Sequence, residues 1–312
     1  MSGTAERVRS TAAIAFLFLL AASARAEIVV FDVGSSISNS AAIRSDSQAY
    51  SQSRQIRYSF TLRNERNTPL DRAHLWVWAP VRQTATQWCR RIETSRAAEL
   101  AADARGNQTL HFVVTNLPPF GTRIVAIKAD LVLAAKPLPA AGDNLAAYVR
   151  PGAGVESDAP DIMVLGRSLG GGTPRETARR AFDWVAKNLR DTGYHPVNRG
   201  ALWALKNRQG DCSEFTSLFA ALCRVNGVPA RRLAGFVCRE NTVLKPHDLH
   251  NVNEFQDGPL WRFADPFHGK FDSDAANYVA LRILDGVPDN TPAEQQRLFR
   301  WEGEGINVSM NP

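Results

Sequence analysis

From residue 27 to about 133, hydrophobic positions recur with period two. Ile56, Tyr58, Phe60 and Leu62 alternate with Arg57, Ser59, Thr61 and Arg63, the pattern of a strand with one buried and one wet face. A turn is predicted over 64–69 and a second strand over 75–78. Leu110, Phe112 and Val114 repeat the alternation after the turn signal Gly106-Asn107, and 122–133 predicts a longer strand. Several short strands over about a hundred residues, with little helical period, predict a β-sandwich for residues 27–135. Nothing in this half carries obvious chemistry.

Residues 136–160 are rich in Pro, Ala, Gly and Asp, which suits an interdomain linker or wrap. The period then changes. Thr173-Pro174-Arg175-Glu176 combines capping-box spacing with Pro at the first helical position. Behind it Ala178, Phe182, Val185 and Leu189 form one apolar stripe. A short helix is predicted over 201–205. A second one, over 212–226, carries Phe215, Leu218, Phe219, Leu222 and Cys223 on one face and stops at Gly227-Val228-Pro229. Strands return over 232–238, 250–255 and 260–265. Helices followed by antiparallel strands imply an α+β domain over 161–312.

Composition changes this picture little. The 312 residues suffice for two domains, and 44% hydrophobic against 22% charged residues excludes a disordered or coiled-coil chain. Charge is more informative by where it sits. The net charge is +6, but residues 1–26 carry Arg7, Arg9 and Arg25 against Glu6, leaving +4 without them. Arg7 and Arg9 precede an apolar run over 11–22, and Ala24-Arg25-Ala26 then matches a small-x-small cleavage site. The run is about half the roughly 20 residues a membrane span needs. Residues 1–26 are therefore read as a cleaved signal peptide. The mature protein would be periplasmic or secreted, start near Glu27 and have no stable membrane insertion. The remaining basic residues fall in scattered pairs without an aromatic-interleaved stripe, which argues against nucleic acid.

Candidate chemistry centres on Cys212, His250 and Asp265. Of the four cysteines, Cys212 and Cys223 share one predicted helix. Cys223 lies in its apolar stripe and reads as a buried small hydrophobe. Cys212 lies at its N-terminus, where unpaired N–H groups and the helix dipole favour a thiolate and offer an oxyanion donor. Asp211 and Glu214 oppose this by raising the thiol pKa, so a nearby imidazolium would have to outweigh them. The hairpin supplies an imidazole. With its loop centred on Asp257-Gly258, His250 falls directly opposite Asp265. Pro259 cannot close the tighter turn, which favours a four-residue loop over a two-residue one in the same register. The carboxylate would fix the His250 tautomer while the other ring nitrogen faces the nucleophile, a complete set for acyl transfer. His247 is disfavoured by this register, and His74, His111, His195 and His268 read as ordinary. No metal site is expected, because neither Cys-x-x-Cys nor His-Glu-x-x-His occurs and Asp272-x-Asp274 falls short of a calcium loop. No cofactor is expected. With Cys212 free, at most one disulfide could join Cys89, Cys223 and Cys238, and none is required.

These residues resemble the transglutaminase-like superfamily of papain-type thiol enzymes. The matching segments are Gly210-Asp211-Cys212-Ser213-Glu214-Phe215, Gly227-Val228-Pro229-Ala230-Arg231, His250-Asn251-Val252-Asn253-Glu254-Phe255 and Asp265-Pro266. The resemblance covers roughly residues 160–285, and a β-rich N-terminal part before such a core is a common bacterial arrangement. It implies Cys212 as nucleophile, His250 as general base and acid, and Asp265 as the orienting residue. Val252 stands where the family usually has Trp. The family often takes a second oxyanion donor from an upstream Trp or Gln, for which Trp203 and Gln209 are the candidates. The expectation is an exported enzyme acting on amide groups of a protein or peptide substrate through a Cys212 acyl-enzyme. A plain cysteine peptidase and a catalytically inactive envelope binding protein are the alternatives. Substrate identity and oligomeric state are not legible.

Overall fold

The computed structural model of the chain describes residues 27–31, 36–38, 50–139, 144–285 and 298–312. The expected signal peptide, residues 1–26, lies outside them. The first half forms β1 (Glu27–Phe31), β2 (Ser36–Ser38), β3 (Gln52–Asn64), β4 (Leu70–Ala79), β5 (Gln87–Thr94), β6 (Ala98–Ala102), β7 (Gln108–Leu117) and β8 (Thr122–Leu133). Next come α1 (Pro160–Leu169), α2 (Pro174–Asn188), β9 (Arg190–Asp191), α3 (Ala201–Asn207), β10 (Gln209–Gly210) and α4 (Cys212–Val225). Then follow β11 (Ala230–Val237), β12 (Thr242–Val243), β13 (Leu249–Asp257), β14 (Leu260–Asp265), β15 (Lys270–Phe271) and β16 (Tyr278–Ile283). The chain ends with β17 (Phe299–Glu302) and β18 (Ile306–Met310).

The period-two stretches bury the faces their pattern predicts. Ile56, Tyr58, Phe60 and Leu62 of β3 meet Leu75 and Val77 of β4, and Leu110, Phe112 and Val114 of β7, in one core. That core is enclosed by two sheets, ordered β1-β6-β7-β4-β17 and β12-β3-β8-β5-β2, with β18 also on β3. This is the expected sandwich. Alternation specifies a face but not a partner, and here the structure departs from the expected boundary at 161–312. The last two strands pair into the sandwich, Trp301 opposite Leu75 and Val308 opposite Leu62.

The second half is an antiparallel sheet, β15-β14-β13-β11-β16, with α4 laid across β11 and β13 and the other helices around α4. α2 begins with the predicted capping box, Thr173 and Glu176 each bonding the other's backbone. The sheet is covered on both faces. Phe255 and Ala264 join the helix cluster. Val252, Trp261 and Phe263 pack with Val81 and Ala85 of the sandwich half.

The two halves are sewn together. Gln87 donates from Nε2 to the Val81 and Ala280 carbonyls, and its Oε1 accepts from the Ala280 N–H. Asn107 grips both backbone groups of Ile283. The described part of 136–160 runs as a wrap: Pro139 bridges Leu260, while the Arg150 and Ala153 carbonyls accept from Arg224 and Arg232. All four cysteines are free thiols, with Cys89, Cys223 and Cys238 buried.

Candidate active site

Three element ends meet at the site: the first residue of α4, the second of β13 and the last of β14. α4 starts at Cys212 because Asp211 caps it. The Asp211 carboxylate accepts from Ser213 N–H at 2.7 Å, and Glu214 reaches back to Asp211 N–H at 2.9 Å. Glu214 is fully buried and also receives the Arg199 backbone and guanidinium, at 2.8 and 2.7 Å. Gly210 makes room for this, since a Cβ there would overlap the Glu214 side chain.

His250 and Asp265 are joined as expected, Nε2 to Oδ2 at 2.8 Å, and both are buried, at 7% and 3% exposure. The register that joins them differs from the expected one. Asp257 pairs with Leu260 and Asn253 with Ala264. The loop is therefore Gly258-Pro259, with Gly258 at φ +60° as a tight two-residue hairpin requires. Pro259 sits inside the loop, so Leu260 takes the closing position and the missing proline N–H costs nothing. The shift is two residues. It keeps His250 and Asp265 on one face but makes them diagonal neighbours rather than an opposed pair.

The sheet holds the His250 backbone as well. Gly235 pairs with His250 across β11, and the Tyr278 hydroxyl donates to the His250 carbonyl at 2.7 Å. Gly235 also admits Val279, whose carbonyl oxygen a Cβ at 235 would overlap.

Cys212 approaches from the helix side, next to Asn251, the residue after His250. The Asn251 N–H donates to its sulfur, and Asn251 Nδ2 donates to Ser213 Oγ at 3.0 Å. Burial pushes the Cys212 thiol up to about 12, and the charges of Asp211 and Asp265 add to this. The Asn251 N–H and the Ser213 side chain pull the other way without balancing it. The Asp265 carboxyl stays below its usual value: burial alone would raise it, but the hydrogen bond and charge of His250 and two bonds from His268 outweigh that. An ionised carboxylate only accepts, so in its neutral form His250 carries its proton on Nε2.

Other predicted positions lie differently. Trp203 is covered by the Arg199 guanidinium at 3.8 Å, and Gln209 accepts from Arg190. Tyr194, like Tyr278, has an ionisation that feels Cys212. Partial burial and the neighbouring Asp211 and Cys212 raise its pKa. It is brought there by parallel pairing of β9 with β10 and by the His195 N–H bond to Asp211 at 2.8 Å. His268, read as ordinary, belongs to the site through Asp265: its Nδ1 lies 2.9 Å from Oδ2. Donor atoms of His250, Asp265 and His268 fall within 4.8 Å of one another, the one such metal-capable trio among the described residues. Both nitrogens there are at hydrogen-bond distance from a single carboxylate oxygen.

Residues 165–266 match the family model of the transglutaminase-like superfamily, and that segment contains Cys212, His250 and Asp265. Over that segment the α+β half is similar to the transglutaminase-like superfamily. Among solved structures, a candidate cysteine protease from Cytophaga hutchinsonii is similar with TM-score 0.55 at 15% identity, covering 83% of this chain and 92% of that one. The likeness is one of fold and, at that coverage, runs beyond the transglutaminase-like segment into the sandwich. The transglutaminase of red sea bream aligns with TM-score 0.29 at 13% identity, over 72% of this chain and 49% of that one. No curated protein matches the chain. No helix among the described residues is long and apolar enough to cross a membrane.

Proposed function

We propose that the protein is an exported thiol enzyme that opens protein or peptide amides through a Cys212 acyl-enzyme. The observation that carries the reading is the buried His250–Asp265 pair at 2.8 Å, set beside a cysteine at a capped helix N-terminus. Because burial holds Cys212 as a thiol, its proton passes to His250 Nδ1 as the sulfur attacks the amide carbonyl. The oxyanion would take the Cys212 backbone N–H and the Tyr194 hydroxyl as donors. The C–N bond then breaks, the imidazolium protonates the departing amine or ammonia, and a thioester remains. Water or a primary amine attacks that thioester, gives its proton to His250 and releases Cys212, whose thiol regains the proton.

The test uses residues 27–312 and a Cys212→Ala control, a carboxamide peptide and a labelled primary amine, followed by intact mass. Cys212-dependent amine incorporation establishes a transglutaminase. Cys212-dependent ammonia release or peptide cleavage, without amine transfer, establishes a hydrolase or peptidase. The desolvation that raises the Cys212 thiol favours a second reading, a non-catalytic envelope binding protein. Absence of product and of any trapped thioester across the substrate series would support it.

A further inference from the structure

Asp265-Pro266 is the last of the matching sequence segments, and the family-model match ends there too. Just past it, residues 266–269 form the four-residue loop between β14 and β15, closed by the pairing of Asp265 with Lys270. Gly269, at φ +68°, lets the chain turn back. The loop folds His268 over the carboxylate it follows. His268 N–H donates to Asp265 Oδ1 at 3.1 Å, and His268 Nδ1 to Oδ2 at 2.9 Å. One residue thus grips both oxygens. The same Oδ2 accepts His250 Nε2 at 2.8 Å.

A carboxylate's terminal torsion is broad and two-fold, so a carboxylate held by His250 alone could rotate and tilt. Two donors fixed three residues on remove that freedom and leave Oδ2 aimed at His250. The His268 ring also lies against the His250 ring, centroids 4.3 Å apart, with Phe267 at 5.6 Å. We infer that His268 is a positioning residue of the site: its Nδ1–H clamps Asp265 and thereby holds His250 as the Nε2–H tautomer with Nδ1 free. The inference rests on the proposed reading only for its effect on rate, because the tautomer is a property of the resting protein.

The experiment compares wild type, His268→Ala and His268→Asn. Asn places an amide Nδ2–H2 where the imidazole Nδ1–H stood, so it restores the clamp without an imidazole. The His268 side chain is 49% exposed, so neither change opens a core cavity. The first readout is the His250 tautomer by nitrogen NMR of histidine-labelled protein. The second is kcat and KM on whichever carboxamide peptide the wild type turns over. Expected are a single Nε2–H tautomer in wild type and Asn, a mixture in Ala, and kcat down about tenfold in Ala with KM within about twofold. His268→Ala with an unchanged tautomer, or His268→Asn folded yet behaving like Ala, overturns the clamp. Wild type holding the expected tautomer while turning over nothing leaves the clamp standing and removes the catalytic reading instead.

Discussion

At the residue scale, the site is a half-buried thiol beside a buried imidazole–carboxylate pair, and its pH behaviour follows from desolvation. With the Cys212 thiol pushed up to about 12, the thiolate fraction near neutrality is small and rises about tenfold per pH unit. Iodoacetamide labelling of Cys212 is therefore expected to accelerate about tenfold per unit between pH 7 and 9. A rate flat over that range would instead report a thiolate–imidazolium pair. Asp265→Asn keeps the shape but removes the acceptor that selects the tautomer. It is expected to lower kcat roughly 10²- to 10⁴-fold with little change in fold by circular dichroism. Cys212, His250 and Asp265 were legible because each stands at an element end marked by local signals, such as Gly210-Asp211 before the helix. His268 was not: a half-exposed histidine three residues past an aspartate has no periodicity that separates it from an ordinary loop residue. Tyr194 was hidden for a related reason, since it comes near Cys212 only through the short parallel pairing of β9 with β10.

At the element scale, what alternation and capping could reveal was recovered. The inward faces of β3 and β7, the capping box of α2 and the start of α4 all follow from neighbours within four residues. Register is less local. A two-residue slip preserves every inward side chain, so the pattern in 250–265 could not separate the expected hairpin from the observed one. Gly235 shows where an element depends on one atom. A Cβ there would overlap the Val279 carbonyl and press on the Tyr278 hydroxyl that holds His250. Gly235→Ala is expected to destabilise by about 2–4 kcal/mol in urea denaturation, from the lost β11–β16 pairing. The same edge carries a buried charge cluster. Asp285 Oδ1 receives Arg224 at 3.1 Å and Arg232 at 3.0 Å. Burial alone would raise the Asp285 carboxyl, but the two guanidinium groups bring it down to about 2 from an ordinary 3.8. Because the folded value is the lower one, this stability is fully present above about pH 4 and lost as pH falls towards 2. Asp285→Asn, which strands two buried cations, is expected to cost about 3–5 kcal/mol at pH 7, with less loss of stability on acidification than wild type shows.

At the scale of the whole molecule, the α+β half and the sandwich share their burial. Phe236, Val279 and Leu281 of the α+β sheet sit in the same core cluster as Phe60 and Leu75 of the sandwich. The Val81 N–H bond to the Ala280 carbonyl and the Gln87 contacts run between them. Strands β17 and β18 then return from beyond the α+β sheet to pair with β4 and β3. None of these partners is encoded by a local period, which is why the chain read as two consecutive domains. The consequence for stability is cooperative. Two domains joined by a flexible linker unfold separately, whereas two that share a core lose it together. Calorimetry of residues 27–312 is expected to show one transition whose calorimetric and van't Hoff enthalpies agree. Removing residues 298–312 uncovers Leu62 and Leu75 in the sandwich core and is expected to lower the temperature of that single transition and, with it, the temperature at which Cys212-dependent activity is lost. Two resolved transitions, with activity following only the one untouched by the truncation, would show that the sandwich stands beside the active half without supporting it.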